Sequence, residues 1–327
     1  MIEEVCKNIY RIGVALPGNP LRELNSYFLR GDDRDLLIDT GFRRPVCREA
    51  LQAGLDELGS DPARRDVLCT HLHSDHSGMA DLFAGPGRRI YMGRTDLARI
   101  SGLLPVEAWL KMYTRFPLEG FSEELLREVF ASNPARTEAM PKRDPRLTPL
   151  DDGDILSVGP YRLETLLVPG HTPGNCMFYL REQRIMFTGD HILFDITPNI
   201  TSWPGVADSL GDYLASLRRV RDLPVDLALP GHRKTGDYGA RIDQLLAHHE
   251  RRLAEALSII RSEPGLCAYE IAGRMKWKIR AADWDSFPVI QKWFATGECF
   301  SHLDYHLTQG TVLCVERDGL RRYYPAD

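Results

Sequence analysis

Three histidines and an aspartate stand within six consecutive positions of this 327-residue chain. The stretch "THLHSDH" contains His71, His73, Asp75 and His76, and it follows an apolar, strand-like run. Neutral imidazoles and carboxylates are ligands for Zn²⁺, Fe and Mn²⁺, and a loop can turn such closely spaced side chains onto one or two ions. Because so many of these groups are awkward in a core and unnecessary on a surface, we predict a metal site.

Three more side chains of the same kinds follow in similar settings. His171 lies in "VPGHTPGN", Asp190 in "FTGDH" and His232 in "LPGHR". Each comes after a strand-like run and a glycine, which is typical of loops at strand ends. Such loops converge on one edge of a sheet in α/β proteins, so we expect these residues to meet the first cluster.

The elements around these residues indicate an α/β layer. "NIYRIGV", "NSYFLRG", "DLLIDTGF" and "DVLCTH" are β-rich runs, and residues 45–58 have apolar residues at helical spacing. Residues 94–148 instead predict several short helices, and β signals return from Asp151. We therefore interpret residues 94–148 as a helical insertion between two β-rich halves, followed by a long helix over about 238–262.

The motif order HxHxDH, PGHTPG, GD and GH resembles the metallo-β-lactamase superfamily over about residues 5–250. The resemblance implies a four-layer αββα sandwich holding two divalent metal ions, with Zn²⁺ expected and Fe or Mn²⁺ as alternatives. By the same resemblance, His71, His73 and His171 hold one ion, Asp75, His76 and His232 hold the second, and Asp190 bridges them. Asp39 in "LIDTG" is expected to orient metal ligands, and an ordinary turn residue is the alternative.

Three positions bear on the branch of the superfamily. Met79 stands where many of its hydrolases have glycine, and Arg233 follows His232 where nearer relatives often have glycine. Neither residue is expected to bind metal, so we expect both to affect substrate shape. His73 stands where the oxygen-reducing diiron branch has glutamate, which argues against that branch.

The charges of such a site imply a hydrolase that uses a metal-bridging hydroxide. Two divalent ions would lower the pKa of a bridging water from about 15.7 toward neutrality, and the hydroxide would attack a carbonyl carbon or a phosphorus. Asp75 and Asp190 are the predicted catalytic carboxylates. The first hypothesis is a carboxylic thioester or ester hydrolase, the second is a phosphodiesterase or endoribonuclease, and the third is a non-catalytic DNA-binding regulator.

Apolar residues of the predicted insertion indicate a substrate pocket made by Trp109, Met112, Tyr113 and Phe116. The alternative is that they are the core of the inserted helices. An apolar wall beside two cations suits a small-molecule acyl substrate, whereas the nearly balanced charges of the insertion offer no track for phosphates.

Residues 251–327 differ in character from the predicted catalytic domain, residues 1–250. Two predicted helices precede a hairpin that turns at Asp318-Gly319, which predicts a winged-helix-like C-terminal domain. The pattern resembles an extension in the branch of the superfamily that includes β-lactamase-like protein 2. The tail has eleven Lys and Arg against ten Asp and Glu, so it lacks the basic face on which nucleic-acid binding depends.

Composition places the chain among ordinary globular proteins. The net charge is -5, and no apolar run approaches the roughly 20 residues that span a bilayer. The polar N-terminus lacks the features of a signal peptide, and the seven cysteines are dispersed without a CxxC. We therefore predict a cytoplasmic protein without a membrane partner, and the sequence is compatible with an oligomer.

Overall fold

The computed structural model describes residues 2–101, 114–132, 144–278 and 281–326. These residues form two compact units. The first falls within Met1–Leu104, Pro134–Pro198 and Val220–Ile242, and the second within Pro105–Asn133, Asn199–Arg219 and Asp243–Asp327. The units follow contacts in space and not the boundary expected at residue 250, so the domain division into 1–250 and 251–327 stays a prediction.

The first unit contains two β-sheets. The larger sheet has its strands in chain order: β1 (Ile2–Cys6), β2 (Ile9–Ala15), β3 (Glu23–Leu29), β4 (Asp35–Ile38), β5 (Arg65–Leu68), β6 (Ile90–Gly93) and β7 (Leu147–Leu150). Strands β1 to β4 pair antiparallel, and β4 to β7 pair parallel. The smaller sheet contains β8 (Ile155–Val158), β9 (Tyr161–Leu167), β10 (Cys176–Leu180), β11 (Ile185–Gly189) and β12 (Leu227–Pro230), in the spatial order β12-β11-β10-β9-β8.

Apolar residues from both sheets share one core. Ile38 of β4 and Phe178 of β10 are buried in it, and Tyr27 of β3 meets Phe187 of β11 edge-on with ring centroids 5.3 Å apart. Burying one face of each sheet against the other removes both apolar faces from water. The two packed sheets are the inner layers of the predicted sandwich.

Helices of the first unit pack on the larger sheet or lie at its carboxyl edge. They are α1 (Pro45–Glu57), α2 (Ser74–Ser77), α3 (Ala80–Phe83) and α4 (Arg94–Ile100), with a 3₁₀ turn at Pro62–Arg64. Helix α1 packs against β2, α3 against β5, and α4 against β6 and β7. These contacts fix the loops that leave the carboxyl ends of β5 and β6.

The second unit is mainly helical. Its elements are α5 (Glu123–Ser132), most of α6 (Ser209–Val220) and α7 (Tyr238–Ser262), then α8 (Ala268–Arg274), α9 (Val289–Thr308), β13 (Val312–Arg317) and β14 (Leu320–Pro325). Aromatic and aliphatic residues of α5, α7, α8, α9 and the β13–β14 hairpin form its core. The hairpin turns at Asp318 and Gly319 with φ of 53° and 73°, the positive values that a two-residue turn of this kind requires.

Several elements lie where the sequence predicts them, and one strand begins inside the predicted insertion. The predicted long helix coincides with α7, and α4 and α5 are helices within residues 94–148 as expected. Residues 147–150, however, form β7, a short edge strand in which Pro149 is tolerated because it lies on the sheet's margin. Among the described residues, no helix is both long and apolar enough to cross a membrane.

Candidate metal centre

The predicted metal ligands all follow strands in the chain, and Asp75 and His76 lie in the short helix α2. These ligands are His71, His73, Asp75 and His76 after β5, His171 after β9, Asp190 after β11 and His232 after β12. Strands β11 and β12 pair in parallel, so their carboxyl ends meet and bring the last two side chains together. The structure brings all seven residues into one cluster of overlapping donor groups.

His71, His73 and His171 form the first group of donors. Nδ1 of His73 lies 3.0 Å from Nε2 of His71 and 3.1 Å from Nε2 of His171. The donor atoms of the three residues lie within 4.8 Å of one another. Three imidazole nitrogens that point at a common space are the arrangement by which histidines hold a transition metal.

Asp75, His76 and His232 form the second group. Nε2 of His76 lies 3.1 Å from Nε2 of His232, and Oδ2 of Asp75 lies 3.5 Å from that atom of His232. Both imidazoles are fully buried, whereas the Asp75 side chain keeps 14% of its surface exposed. Asp75 is therefore the member of this group that a solvent molecule or a ligand reaches most easily.

Asp190 lies between the two groups. Its Oδ1 is 3.5 Å from Nε2 of His76, and its Oδ2 is 3.6 Å from Nε2 of His232 and 4.0 Å from Nε2 of His171. Oδ1 is buried and accepts no hydrogen bond from a described residue. The absence of a side chain at Gly231 leaves room for Asp190, because a Cβ at position 231 would lie only 2.6 Å from Oδ1 of Asp190.

The ring nitrogens that face away from the cluster have hydrogen-bond partners of their own. Nδ1 of His76 lies 2.7 Å from Oδ2 of Asp39, and Nδ1 of His232 lies 2.7 Å from the carbonyl oxygen of Glu23. The Thr70 hydroxyl donates to Asp39 and lies 3.0 Å from Nδ1 of His71. Such partners fix the ring orientation and leave the inward nitrogen free to bind a metal.

Burial and neighbouring charges shift the pKa values of these groups in different directions. Burial, together with the neighbouring histidines, lowers the pKa of His71 well below its usual value, and burial with His171 lowers that of His73 to about 3. Burial also disfavours a charge on His76, but Asp190 and Asp39 outweigh it and raise the pKa of His76 well above 6.5. The carboxylates of Asp190 and Asp39 therefore favour a positive charge at the position of the His76 ring.

The donor set fits divalent metal ions. It combines five imidazoles with two carboxylates, Asp75 and Asp190, and Oδ1 of Asp190 is buried without a hydrogen bond from any residue that the structure describes. Uncompensated carboxylates are costly to bury, and cations bound between the two groups would satisfy them. These seven residues are therefore the proposed metal ligands.

The residues predicted for a substrate pocket are not brought to the cluster by any described contact. Trp109, Met112 and Tyr113 lie outside the described residues. Phe116 belongs to the second unit, where its ring packs on Phe300 at a centroid distance of 4.7 Å and lines a small cleft with Trp203. Its role in substrate binding stays a prediction.

Met79 and Arg233, both expected to affect substrate shape, differ in exposure. Met79 is fully buried and lies near Gly41, whereas Arg233 is exposed. Their effect on the substrate stays a prediction. Sequence reasoning missed Thr70, the Glu23 carbonyl and Asp96, a fully buried carboxylate at the start of α4. Only Thr70 gave a signal, since it directly precedes His71.

Comparison with known proteins agrees with this architecture. The sequence profile of the "Metallo-beta-lactamase superfamily" matches residues 20–232. The chain is 26% identical to the atrochrysone carboxyl ACP thioesterase of Aspergillus novofumigatus over 80% of its own length, and spans 65% of that relative. It is 27% identical to the acyl-coenzyme A thioesterase MBLAC2 of Homo sapiens, over 74% of this chain and 80% of that one.

A solved structure is similar over nearly the whole chain. The metallo-beta-lactamase family protein of Thermus thermophilus superposes with a TM-score of 0.82 at 29% identity, covering 98% of this chain and 99% of that one. The fold, the ordered motifs and the profile agree, and this chain belongs to the metallo-β-lactamase superfamily. Its fold is the mixed α/β fold of that superfamily, with additional helices and strands at the C-terminal end.

Proposed function

We propose that this protein is a metal-dependent hydrolase with a dinuclear centre, acting on a carboxylic thioester or ester. The observation that carries the proposal is the position of Asp190, whose two oxygens face donors of both groups at 3.5 to 4.0 Å. A carboxylate placed between two sets of imidazoles suits a bridging ligand, with His71, His73 and His171 on one side and Asp75, His76 and His232 on the other.

Bound divalent ions would supply a water of lowered pKa and would polarise the carbonyl oxygen of the substrate. The protein side chains orient the reactants. Asp75, the partly exposed carboxylate, is placed to accept a hydrogen bond from an attacking water. The Asp39 and Glu23 contacts keep His76 and His232 in fixed orientations, which holds the donor set ready before substrate arrives.

A thioester suits this site because its leaving group needs little help. A thiol has a pKa of about 8.5, so a thiolate departs near neutral pH without a dedicated general acid. Both relatives described above are named thioesterases, one for an acyl carrier protein and one for acyl-coenzyme A. These names support an acyl thioester as the substrate class for this chain.

The proposal also covers the metal ion, the compartment, the domain division and the substrate. Zn²⁺ is the expected ion, since imidazole with few carboxylates suits it. The cytoplasm is the expected compartment, because an odd and dispersed set of seven cysteines suits reduced thiols. Residues 251–327 are proposed to be a winged-helix-like domain after a catalytic domain of residues 1–250. The substrate is expected to be a small acyl molecule and not nucleic acid.

A substrate screen tests this function. Zn²⁺-loaded protein would be assayed on acyl-coenzyme A thioesters, carboxylic esters, bis-p-nitrophenyl phosphate and RNA, with Asp190→Ala as the inactive reference. We expect the thioesters to be cleaved fastest and the activity to disappear on chelation. Cleavage of the phosphodiester or RNA without thioester cleavage would replace this proposal with the phosphodiesterase hypothesis. No turnover, combined with sequence-specific DNA binding, would favour the regulator.

A further inference from the structure

Asp96 is a fully buried carboxylate that does not face the donor cluster, yet it contacts both loops that form the first group. It lies in the first turn of α4, directly after β6. Its Oδ2 accepts hydrogen bonds from the backbone N–H of Leu72, at 2.9 Å, and from the hydroxyl of Thr172, at 2.5 Å. Its Oδ1 accepts one from the N–H of Gly174 at 2.7 Å.

The residues that donate to Asp96 are the sequence neighbours of the three histidines. Leu72 lies between His71 and His73, and Thr172 follows His171. One side chain therefore fixes the backbone of the loop after β5 and of the loop after β9 at the same time. Because the carboxylate is buried, each of these bonds is formed away from competing water, and losing one leaves a donor unsatisfied.

The packing around Asp96 is tight enough to make this contact specific. A Cβ on Gly174 would lie 2.3 Å from the Asp96 backbone nitrogen and 2.8 Å from its Oδ1, and a Cβ on Gly93 would lie 2.1 Å from the Gly174 carbonyl oxygen. Glycine is thus required where the His171 loop meets the start of α4. This close contact with Asp96 explains why Gly174, the last glycine of the motif "PGHTPGN", has no side chain.

We propose that Asp96 is a positioning residue that sets the mutual placement of His71, His73 and His171 and thereby the metal affinity of that group. The inference rests on the proposed function, since it assumes that these histidines bind metal. Asp96 itself contacts neither the metal nor the substrate. It acts by holding two loops that are far apart in sequence at one distance.

Asp96→Asn is the sharpest variant, because it keeps the size of the side chain. Both carboxylate oxygens accept hydrogen bonds from N–H groups, so an amide NH₂ in either position would face a donor. Asp66→Asn is the matched control. Asp66 is also buried and accepts a hydrogen bond from the backbone N–H of Arg89 at 2.8 Å. Unlike Asp96, it lies near the amino end of β5, away from the donor cluster.

The measurement is the affinity for Zn²⁺, by competition with a chromophoric chelator, together with zinc content and melting temperature. We expect Asp96→Asn to weaken the binding of one of two ions about 10- to 100-fold, the range found for partners of metal ligands. Gly174→Ala should act in the same direction. Asp66→Asn should lower the melting temperature and leave both affinities unchanged.

Two outcomes would overturn the inference. One is wild-type affinity for both ions in Asp96→Asn, and the other is an equal loss of affinity in Asp66→Asn, which would indicate general instability. If Asp96→Asn does not fold, Thr172→Val should lose affinity and Thr172→Ser should keep it, and equal affinities would overturn the inference. A wild-type protein that binds no zinc would refute the proposed function, and this inference with it.

Discussion

The Asp39 carboxylate lies on the side of the His76 ring that faces away from the donor cluster, with its Oδ2 2.7 Å from Nδ1 of the imidazole. Both side chains are buried, and Asp39 has a φ of 59°, which turns its carboxylate back toward the loop after β5. Its Oδ1 also accepts the backbone N–H of Thr70 at 2.8 Å. A hydrogen bond from Nδ1–H to a carboxylate leaves the lone pair of Nε2 free for a metal, so this pair fixes the tautomer of His76.

Asp39→Asn should therefore lose metal from the second group. Asparagine tolerates the left-handed backbone, so the variant changes the charge and one acceptor only. An amide NH₂ facing Nδ1 would favour the tautomer with a proton on Nε2, which cannot bind a metal. We expect about 10- to 100-fold weaker binding of one Zn²⁺, measured by chelator competition. Unchanged affinity in this variant would show that Asp39 only supports the turn.

The stability of the second unit should depend on the protonation of His302. This imidazole is fully buried on α9, with Nδ1 2.7 Å from the Glu298 carbonyl oxygen and Nε2 3.4 Å from Nδ1 of His249. Burial, aided by the charge of Arg252, lowers the pKa of His302 from 6.5 to about 3. In the unfolded chain the same group binds a proton below its ordinary pKa.

The stability that His302 contributes is therefore complete above pH 6.5 and is lost as the pH falls from 6.5 toward about 3. His302→Gln removes this titration and keeps a polar side chain. Urea denaturation at about pH 7 and about pH 5 should show a smaller acid-induced loss of stability in the variant than in the wild type. Identical losses in the two proteins would contradict the assignment.

Phe116→Ala should destabilise the protein by about 3–5 kcal/mol, as expected for removing a buried aromatic ring. The Phe116 ring stacks on Trp293 at 5.7 Å and contacts Phe121 at 5.4 Å. Phe294→Ala is the matched control, because that ring is 41% exposed and its removal should lower the free energy of unfolding much less. Chemical denaturation measures both. A small loss of stability with a raised KM for long acyl chains would instead support the predicted pocket.

Asp304→Asn should lower the free energy of unfolding more than the same change in an exposed ion pair does. Asp304 accepts two hydrogen bonds from the Arg115 guanidinium, at 2.7 and 2.8 Å, and both side chains are largely buried. Removing the negative charge leaves the buried Arg115 cation with Glu119 as its remaining charge partner among the described residues, so the cost should approach but not exceed about 3–5 kcal/mol, that of a broken buried ion pair. Asp151→Asn, in the exposed pair with Arg94, is the control and should change stability little. Equal effects of the two variants would contradict this account.

The residues of the donor cluster could be predicted because their spacing is visible in the sequence. The dense stretch around His71 and the glycine-rich motifs around His171 and His232 could be recognised without knowing the fold. The role of Asp39 is predicted instead by the resemblance to the superfamily and by the cost of burying an unpaired carboxylate. Its positive φ and its contact with Thr70 are visible only in the structure.

Residues that act through contacts far apart in sequence could not be predicted. The Glu23 carbonyl meets a histidine 209 positions away, and Asp96 meets Thr172 across 76 positions. His249 of α7 is fully buried beside His302 of α9. These positions depend on tertiary packing, which helical spacing alone does not specify.

One cluster of imidazoles and carboxylates is proposed to bind two metal ions, with Asp190 between them. The most direct test is elemental analysis of protein purified without chelator, for the wild type, Asp190→Asn and the control His302→Gln. We predict about two transition-metal ions per chain in the wild type and the control, and about one or fewer in Asp190→Asn. A wild type without bound metal, or full metal content in Asp190→Asn, would contradict the account.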